Sequence, residues 1–138
     1  MGASLTKGGK KVNTAGYYFH FEPGQCFAGG GFYMPGPAEL AKIRQEIDYS
    51  FDEWGKIVSS KTFIKSFPSG VEGIDKLVRP PKGYDENNPA VEYLKMKGFI
   101  VSRPVTDYEA VNKNLVKEVA KIFDVMKPMI DFLNRAIE

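Results

Sequence analysis

The segment Gly16-Tyr-Tyr-Phe-His-Phe-Glu-Pro-Gly24 is followed directly by Gln25-Cys-Phe-Ala-Gly-Gly-Gly-Phe-Tyr-Met34. Both halves are short and aromatic, and Pro23-Gly24 suits the centre of a type II turn, because Pro fixes φ and Gly accepts a positive φ. The sequence therefore predicts a β-hairpin with strands at residues 16–22 and 25–34. A type II turn fits strand twist poorly in a two-residue loop, so a longer loop remains an alternative.

The hairpin has two unlike faces, because side chains alternate along a strand. With Glu22 opposite Gln25, one face is apolar and is predicted to meet the core: Tyr17, Phe19, Phe21, Cys26, Ala28, Gly30, Phe32 and Met34. The other face mixes polar and aromatic residues around a hollow: Tyr18, His20, Glu22, Gln25, Phe27, Gly29, Gly31 and Tyr33.

Three consecutive glycines weaken a strand, so something is expected to approach the backbone at residues 29–31 closely. One interpretation is a helix or an aromatic ring; the other is a ligand. The spacing matches neither the dinucleotide-binding fingerprint nor the P-loop. No cofactor is predicted.

His20 also has two interpretations, a hydrogen-bonded structural residue or a general base oriented by Glu22 on the same strand face. The chain contains one His and one Cys, too few for a typical zinc site, so no metal is predicted. Cys26 falls on the predicted core face, where a thiol behaves as a small inert hydrophobe.

Length and charge exclude several classes of protein. The 138 residues suit a single domain, residues 1–138, and 19 basic against 17 acidic residues give a net charge of +2. Bulk charge therefore does not predict nucleic-acid binding. A single Cys excludes an intramolecular disulfide, and the sequence shows neither a signal peptide nor a membrane span. The expected location is the cytoplasm.

Apolar residues at helical spacing dominate the rest of the chain. Helices are predicted at residues 38–47, in the segment that follows Ser50, at 61–67 and at 88–96, and a strand is predicted at 99–103. Ser50 with Glu53, and Thr106 with Glu109, resemble capping boxes. From about Asn114 a long helix is predicted, kinked at Pro128, which lacks an amide hydrogen. The predicted fold is α+β, a small antiparallel sheet with helices on one face.

The string Arg79-Pro-Pro-Lys-Gly-Tyr84 is stiffened by its prolines, which present Arg79 and Lys82 with little conformational entropy to lose on binding. Arg offers a bidentate fork for phosphate or carboxylate, Lys adds a point charge, and Tyr adds a ring. The predicted ligand-binding residues, expected to form one cavity over the glycines, are Tyr18, Tyr33, Arg79, Lys82, Tyr84 and Arg103. Alternatively, Arg79 pairs with an internal acid and the prolines only shape a loop.

Four strings together resemble an uncharacterised, mainly bacterial family known as domain of unknown function 2461. They are the hairpin segment at residues 16–24, Gly29-Gly-Gly-Phe-Tyr-Met-Pro35, Arg79-Pro-Pro-Lys-Gly-Tyr-Asp85 and Lys97-Gly-Phe-Ile-Val-Ser-Arg-Pro104. The resemblance implies an α+β architecture but no agreed activity. Members of that family begin with a further helical segment, so the resemblance also implies that their N-terminal part is absent here.

Three functions follow as hypotheses. The favoured one is a domain that binds a small anion or a phosphorylated ligand without catalysis. The second is a hydrolase or phosphoryl-transfer enzyme that uses His20 and Glu22, with Arg79 and Lys82 supporting the transition state. The third is a protein–protein interaction module. An absent N-terminal segment would leave an apolar patch near residues 1–20, or a homodimer that buries it.

Overall fold

A four-stranded antiparallel sheet organises the molecule. The computed structural model describes residues 2–6, 14–106 and 114–138. The strands are β1 (Gly2–Thr6), β2 (Gly16–His20), β3 (Phe27–Phe32) and β4 (Phe99–Pro104), and their order in the sheet follows their order in the chain. A single antiparallel bridge between Glu72 and Ile100 continues the pairing at the free edge of β4.

The β2–β3 hairpin has the predicted register. His20 lies opposite Phe27 and Tyr18 opposite Gly29, an alignment that also matches Glu22 with Gln25. The amide of Gln25 donates to the Glu22 carbonyl at 2.8 Å, and Gly24 has a φ of 80°. These are the features of a type II turn. Because the strands end earlier than predicted, this turn lies within a longer connection at residues 21–26, which was the alternative.

The sheet has an inner face, which packs against helices, and an outer face. Residues of the inner face are Tyr17, Phe19, Ala28, Gly30, Phe32, Phe99, Val101 and Arg103. Residues of the outer face are Tyr18, His20, Phe27, Gly29, Gly31, Ile100, Ser102 and Pro104. The predicted division of the hairpin is confirmed along the strands. It is wrong for Phe21 and Met34, which lie beyond the strand ends and are exposed.

Five helices are described: α1 (Pro37–Tyr49), α2 (Phe51–Ser59), α3 (Lys61–Ser66), α4 (Val91–Leu94) and α5 (Leu115–Ile137). Ser60 caps α3 by accepting from the Phe63 amide at 3.2 Å. The capping box predicted at Ser50 is wrong, because the Ser50 hydroxyl donates back to the Glu46 carboxylate at 2.8 Å. Helix α4 is shorter than predicted, and the capping box that needs Glu109 lies outside the described residues.

The core lies between the inner face of the sheet and the helices. Trp54 of α2 is fully buried and contacts Phe99 of β4 and Phe132 of α5 edge-on or tilted, with ring centroids 6.1 and 5.0 Å away. Helix α5 runs along the sheet and includes Pro128 within its length. The α+β prediction is confirmed, and the kink at Pro128 stays a prediction. None of the described helices is long and apolar enough to span a bilayer.

A buried polar residue on α5 fixes the segment that leads into β2. The Asn134 side chain, 8% exposed, accepts from the Ala15 amide at 2.9 Å and donates to the Ala15 carbonyl at 3.3 Å. Both backbone groups are thereby satisfied inside the core. Residues 2–6, for which no strand was predicted, form β1 and pair with β2.

Candidate functional site

The three consecutive glycines of β3 are explained by close packing on both faces of the sheet. A β-carbon at Gly30 would meet Met126 of α5 and the Gly16 carbonyl oxygen, and one at Gly29 would lie 2.7 Å from the Val101 carbonyl oxygen. Gly31 adopts a φ of 125°, which L-residues rarely tolerate. The interpretation that a helix approaches the glycines is therefore confirmed, at Gly30.

Because Gly29 and Gly31 lack side chains, the outer face is left with a hollow. A cavity of about 570 Å³ occupies it, here called the glycine cavity. Its outer-face lining comprises Tyr18, Phe27, Gly29, Gly31, Ile100 and Ser102, with Tyr33 and Met34 at one end. Tyr33 and Met34 are 61% and 66% exposed. The outer face therefore combines bare backbone with accessible aromatic and apolar side chains.

A chain of hydrogen bonds lies beside this cavity. The Tyr18 hydroxyl is 3.0 Å from Nδ1 of His20, and Nε2 of His20 is 2.8 Å from a carboxylate oxygen of Glu22. The predicted proximity of His20 and Glu22 is thus observed, with Tyr18 as a third member. The alternation of β2 places Tyr18 and His20 on one face, and Glu22 follows two residues beyond His20 in the connection to β3.

Phe27 supports the histidine from the neighbouring strand. Its ring centroid lies 5.2 Å from that of His20, with the rings 25° apart, and 5.7 Å from that of Tyr18. The imidazole is therefore held in one plane by stacking as well as by its two hydrogen bonds. The side chain of His20 is 22% exposed and that of Glu22 is 50% exposed.

A second cavity, here called the histidine cavity, adjoins the first and also has a volume of about 570 Å³. Phe27 and Ser102 line both cavities. The other residues around the histidine cavity are His20, Gly24, Gln25, Cys26, Pro104, Val105 and Thr106. No Lys, Arg, Asp or Glu of the described chain lines either cavity.

The basic residues that were predicted to bind the ligand do not lie at these two cavities. Arg79 and Lys82 are exposed and line neither cavity. Arg103 belongs to the inner face, where its guanidinium donates to the carbonyls of Lys65 and Ser66 at the end of α3, both at 3.4 Å. These contacts resemble the cation–carbonyl interactions that stabilise helix C-termini. The expectation of one cavity shared by the glycines and the cations is therefore not met by the glycine and histidine cavities.

Tyr84 packs against the helical side of the core. Burial raises the pKa of its hydroxyl, with a smaller contribution in the same direction from Asp48, while Arg44 opposes it. Tyr84 is thus grouped with α1 and not with the outer face. Nearby ion pairs join Lys76 to Glu92 at 2.5 Å and Lys95 to Glu86 at 3.0 Å.

A groove between α2 and α5 forms a cavity of about 810 Å³. Arg135 spans its end and donates to Glu53 at 2.8 and 2.9 Å and to Glu46 at 3.1 Å. The hydrogen bonds from Arg135 to Glu53 lower the pKa of Glu53 below its ordinary value. The charges of Arg135 and Glu53 satisfy each other at this end, and the groove is also lined by Asp52, Lys56, Asp124, Lys127 and Asp131.

The lining residues that were not predicted as site residues include Phe27, Ile100 and Ser102. Phe27 was placed on the correct face but given no role. Ile100 and Ser102 alternate with the buried Phe99 and Val101, and this alternation was the signal available in the sequence. Among the described residues, no group of three or more His, Cys, Asp and Glu side chains is arranged to hold a metal ion.

The fold and the site together define a small α+β domain. On the outer face of its antiparallel sheet, aromatic side chains surround exposed glycine backbone. Residues 1–132 match the family described as "Conserved hypothetical protein (DUF2461)", and the chain belongs to this family. The resemblance inferred from the four sequence strings is thereby confirmed. No curated protein and no solved structure shows significant similarity to the chain.

Proposed function

We propose that this protein binds a small, flat and uncharged molecule on the outer face of its sheet, in the glycine cavity. The observation that carries the proposal is the cavity itself: about 570 Å³ over bare strand backbone, bordered by Tyr18, Phe27 and Tyr33. Ligand sites are typically concave, mostly apolar and furnished with a few polar groups. Aromatic rings on two sides favour a ligand that can itself stack.

The absence of charge in the lining argues for an uncharged ligand. No charged residue of the described chain contributes to the glycine cavity. An anion placed there would lose hydration without gaining a counter-charge, which is costly in an apolar setting. The proposal therefore departs from the small anion expected from the sequence, since Arg79 and Lys82 line neither cavity of this face.

Binding is better supported than hydrolysis or phosphoryl transfer at this face. His20 and Glu22 are in contact at 2.8 Å, as a general base and its orienting acid would be. Acyl or phosphoryl transfer also needs donors aimed at the developing negative charge. The backbone amides of β3 are not free for this role, because β3 pairs with β2 on one side and β4 on the other and its N–H groups are engaged in the sheet.

The test fills the cavity from a neighbouring position. Ser102 lies opposite Gly29 on the outer face and lines the cavity, so Ser102→Phe would place a ring over the glycine. Such a ring over a strand glycine is compatible with the sheet. The matched control is Val78→Phe, which adds the same ring at a position that is 91% exposed and lines neither cavity.

The probe is the uncharged fluorescent dye N-phenylnaphthylamine, titrated into each variant after circular dichroism has verified the fold. We expect the wild-type protein and Val78→Phe to bind the dye alike. Ser102→Phe should bind it at least about tenfold more weakly, equivalent to about 1.4 kcal/mol. Equal affinity in Ser102→Phe, or no saturable binding to the wild type, would refute the proposal.

A further inference from the structure

The proton positions in the Tyr18–His20–Glu22 chain follow from which groups can donate. An ionised carboxylate only accepts hydrogen bonds, so the 2.8 Å contact with Glu22 requires a hydrogen on Nε2 of His20. A neutral imidazole then has an unprotonated Nδ1, which can only accept. The 3.0 Å contact between Nδ1 and the Tyr18 oxygen therefore uses the single hydroxyl proton of Tyr18.

With that proton engaged, the Tyr18 oxygen can offer only a lone pair to a ligand. Tyr18 is also one of the residues that line the glycine cavity. We propose that Tyr18 acts there as a fixed hydrogen-bond acceptor, and that the site selects flat aromatic ligands with a hydroxyl or N–H donor over those with acceptors only. This inference rests on the proposed function and specifies its ligand class.

The hydroxyls of Ser102 and Tyr33 do not impose this choice. Ser102 and Tyr33 line the glycine cavity too, and a hydroxyl that is free to rotate can donate or accept as the ligand requires. The Tyr18 hydroxyl differs from them because its partner, His20, is fixed in place. The His20 ring is held by the hydrogen bond between Nε2 and Glu22 and by stacking on Phe27. The imidazole therefore determines the direction of the Tyr18 hydroxyl and is a positioning residue.

The experiment compares two uncharged ligands of similar shape, 2-naphthol, which has a donor, and 2-acetylnaphthalene, which has only an acceptor. Both are titrated into the protein by calorimetry at about pH 8. The wild-type protein should prefer 2-naphthol by about three- to tenfold, the range of one net hydrogen bond. Tyr18→Phe should abolish the preference. Tyr33→Phe, which removes another hydroxyl from the same cavity, should retain it.

A second variant separates hydrogen-bond direction from simple packing. His20→Phe keeps a ring against Phe27 but removes the acceptor for the Tyr18 proton. Tyr18 can then donate to the ligand, so 2-acetylnaphthalene should bind about threefold more tightly than it does to the wild type. Tyr18→Phe should not show this gain.

The outcomes separate the two proposals. If both ligands bind the wild type equally, or if Tyr33→Phe abolishes the preference, the inference about Tyr18 is overturned while ligand binding stands. A gain for 2-acetylnaphthalene in His20→Phe supports the inference, and its absence overturns it. If neither ligand binds the wild type, the proposed function fails, and the inference about Tyr18 fails with it.

Discussion

Adding one methyl group to β3 at Gly30 should destabilise the protein, because the strand is packed on both sides of that residue. The new β-carbon of Gly30→Ala would lie 2.5 Å from the Gly16 carbonyl oxygen and even closer to the Met126 sulfur. The Met126 side chain can rotate away. The Gly16 carbonyl cannot, because Gly16 is paired with β3 at the position opposite Gly31.

The magnitude follows from two opposing effects. Overpacking a well-packed site costs about 1–3 kcal/mol. Replacing glycine reduces the entropy of the unfolded chain and returns about 0.4–1 kcal/mol. Since the clash involves backbone and a buried helix together, we expect a net loss near 2 kcal/mol, about 6 °C in Tm for a chain of this length.

The matched control is the same substitution in a helix. A β-carbon at Gly55 in α2 would have no atom within 4 Å, so Gly55→Ala should stabilise the protein by about 0.5–1 kcal/mol. Urea denaturation followed by circular dichroism measures both variants against the wild type, with equal m-values as the check for two-state behaviour. If Gly30→Ala loses less than about 0.5 kcal/mol, or gains stability as Gly55→Ala does, the packing explanation of the glycines is refuted.

Two further predictions concern α5. Asn134→Ala leaves the amide and carbonyl of Ala15 without their partner inside the core and should cost about 2–4 kcal/mol, measured by urea denaturation; a loss below about 1 kcal/mol would contradict this. Arg135→Ala should alter the acid limb of the stability profile. Because Arg135 lowers the folded-state pKa of Glu53, their interaction stabilises the protein above the ordinary Glu pKa and is lost as pH falls through the lowered value. Stability measured between about pH 5 and pH 3 should therefore fall less steeply in Arg135→Ala than in the wild type or in the control Lys117→Ala, at an exposed position of the same helix, and an unchanged slope would argue against the coupling.

The hairpin could be derived from sequence because its determinants are local. The alternation of strand residues placed Tyr18 and His20 on one face, and Pro23-Gly24 indicated the turn. The register followed from aligning Glu22 with Gln25. These rules act over a few residues and need no knowledge of what the sheet packs against.

The arrangement of the cationic residues could not be derived in the same way. Arg103 reaches α3, 38 residues earlier in sequence at Lys65, and Tyr84 packs beside α1. Such contacts depend on the path of a long connection between α3 and α4, which local propensity does not determine. The strand at residues 2–6 was missed because its sequence, Gly-Ala-Ser-Leu-Thr, lacks the aromatic alternation that identified β2.

Asn134 illustrates a further limit. A polar residue among the apolar positions of an amphipathic helix is normally assigned to the solvent-facing side. Here it is buried because its amide satisfies both backbone groups of Ala15, a partner 119 residues away. Only the tertiary structure reveals that pairing.

The location of bound ligand tests the central claim most directly. Amide chemical shifts are recorded as N-phenylnaphthylamine is added to the wild-type protein. The account predicts that the largest changes occur at Gly29, Gly31 and Ser102, on the outer face of the sheet. Changes concentrated instead at Ile57 and Phe132, in the groove between α2 and α5, would contradict it.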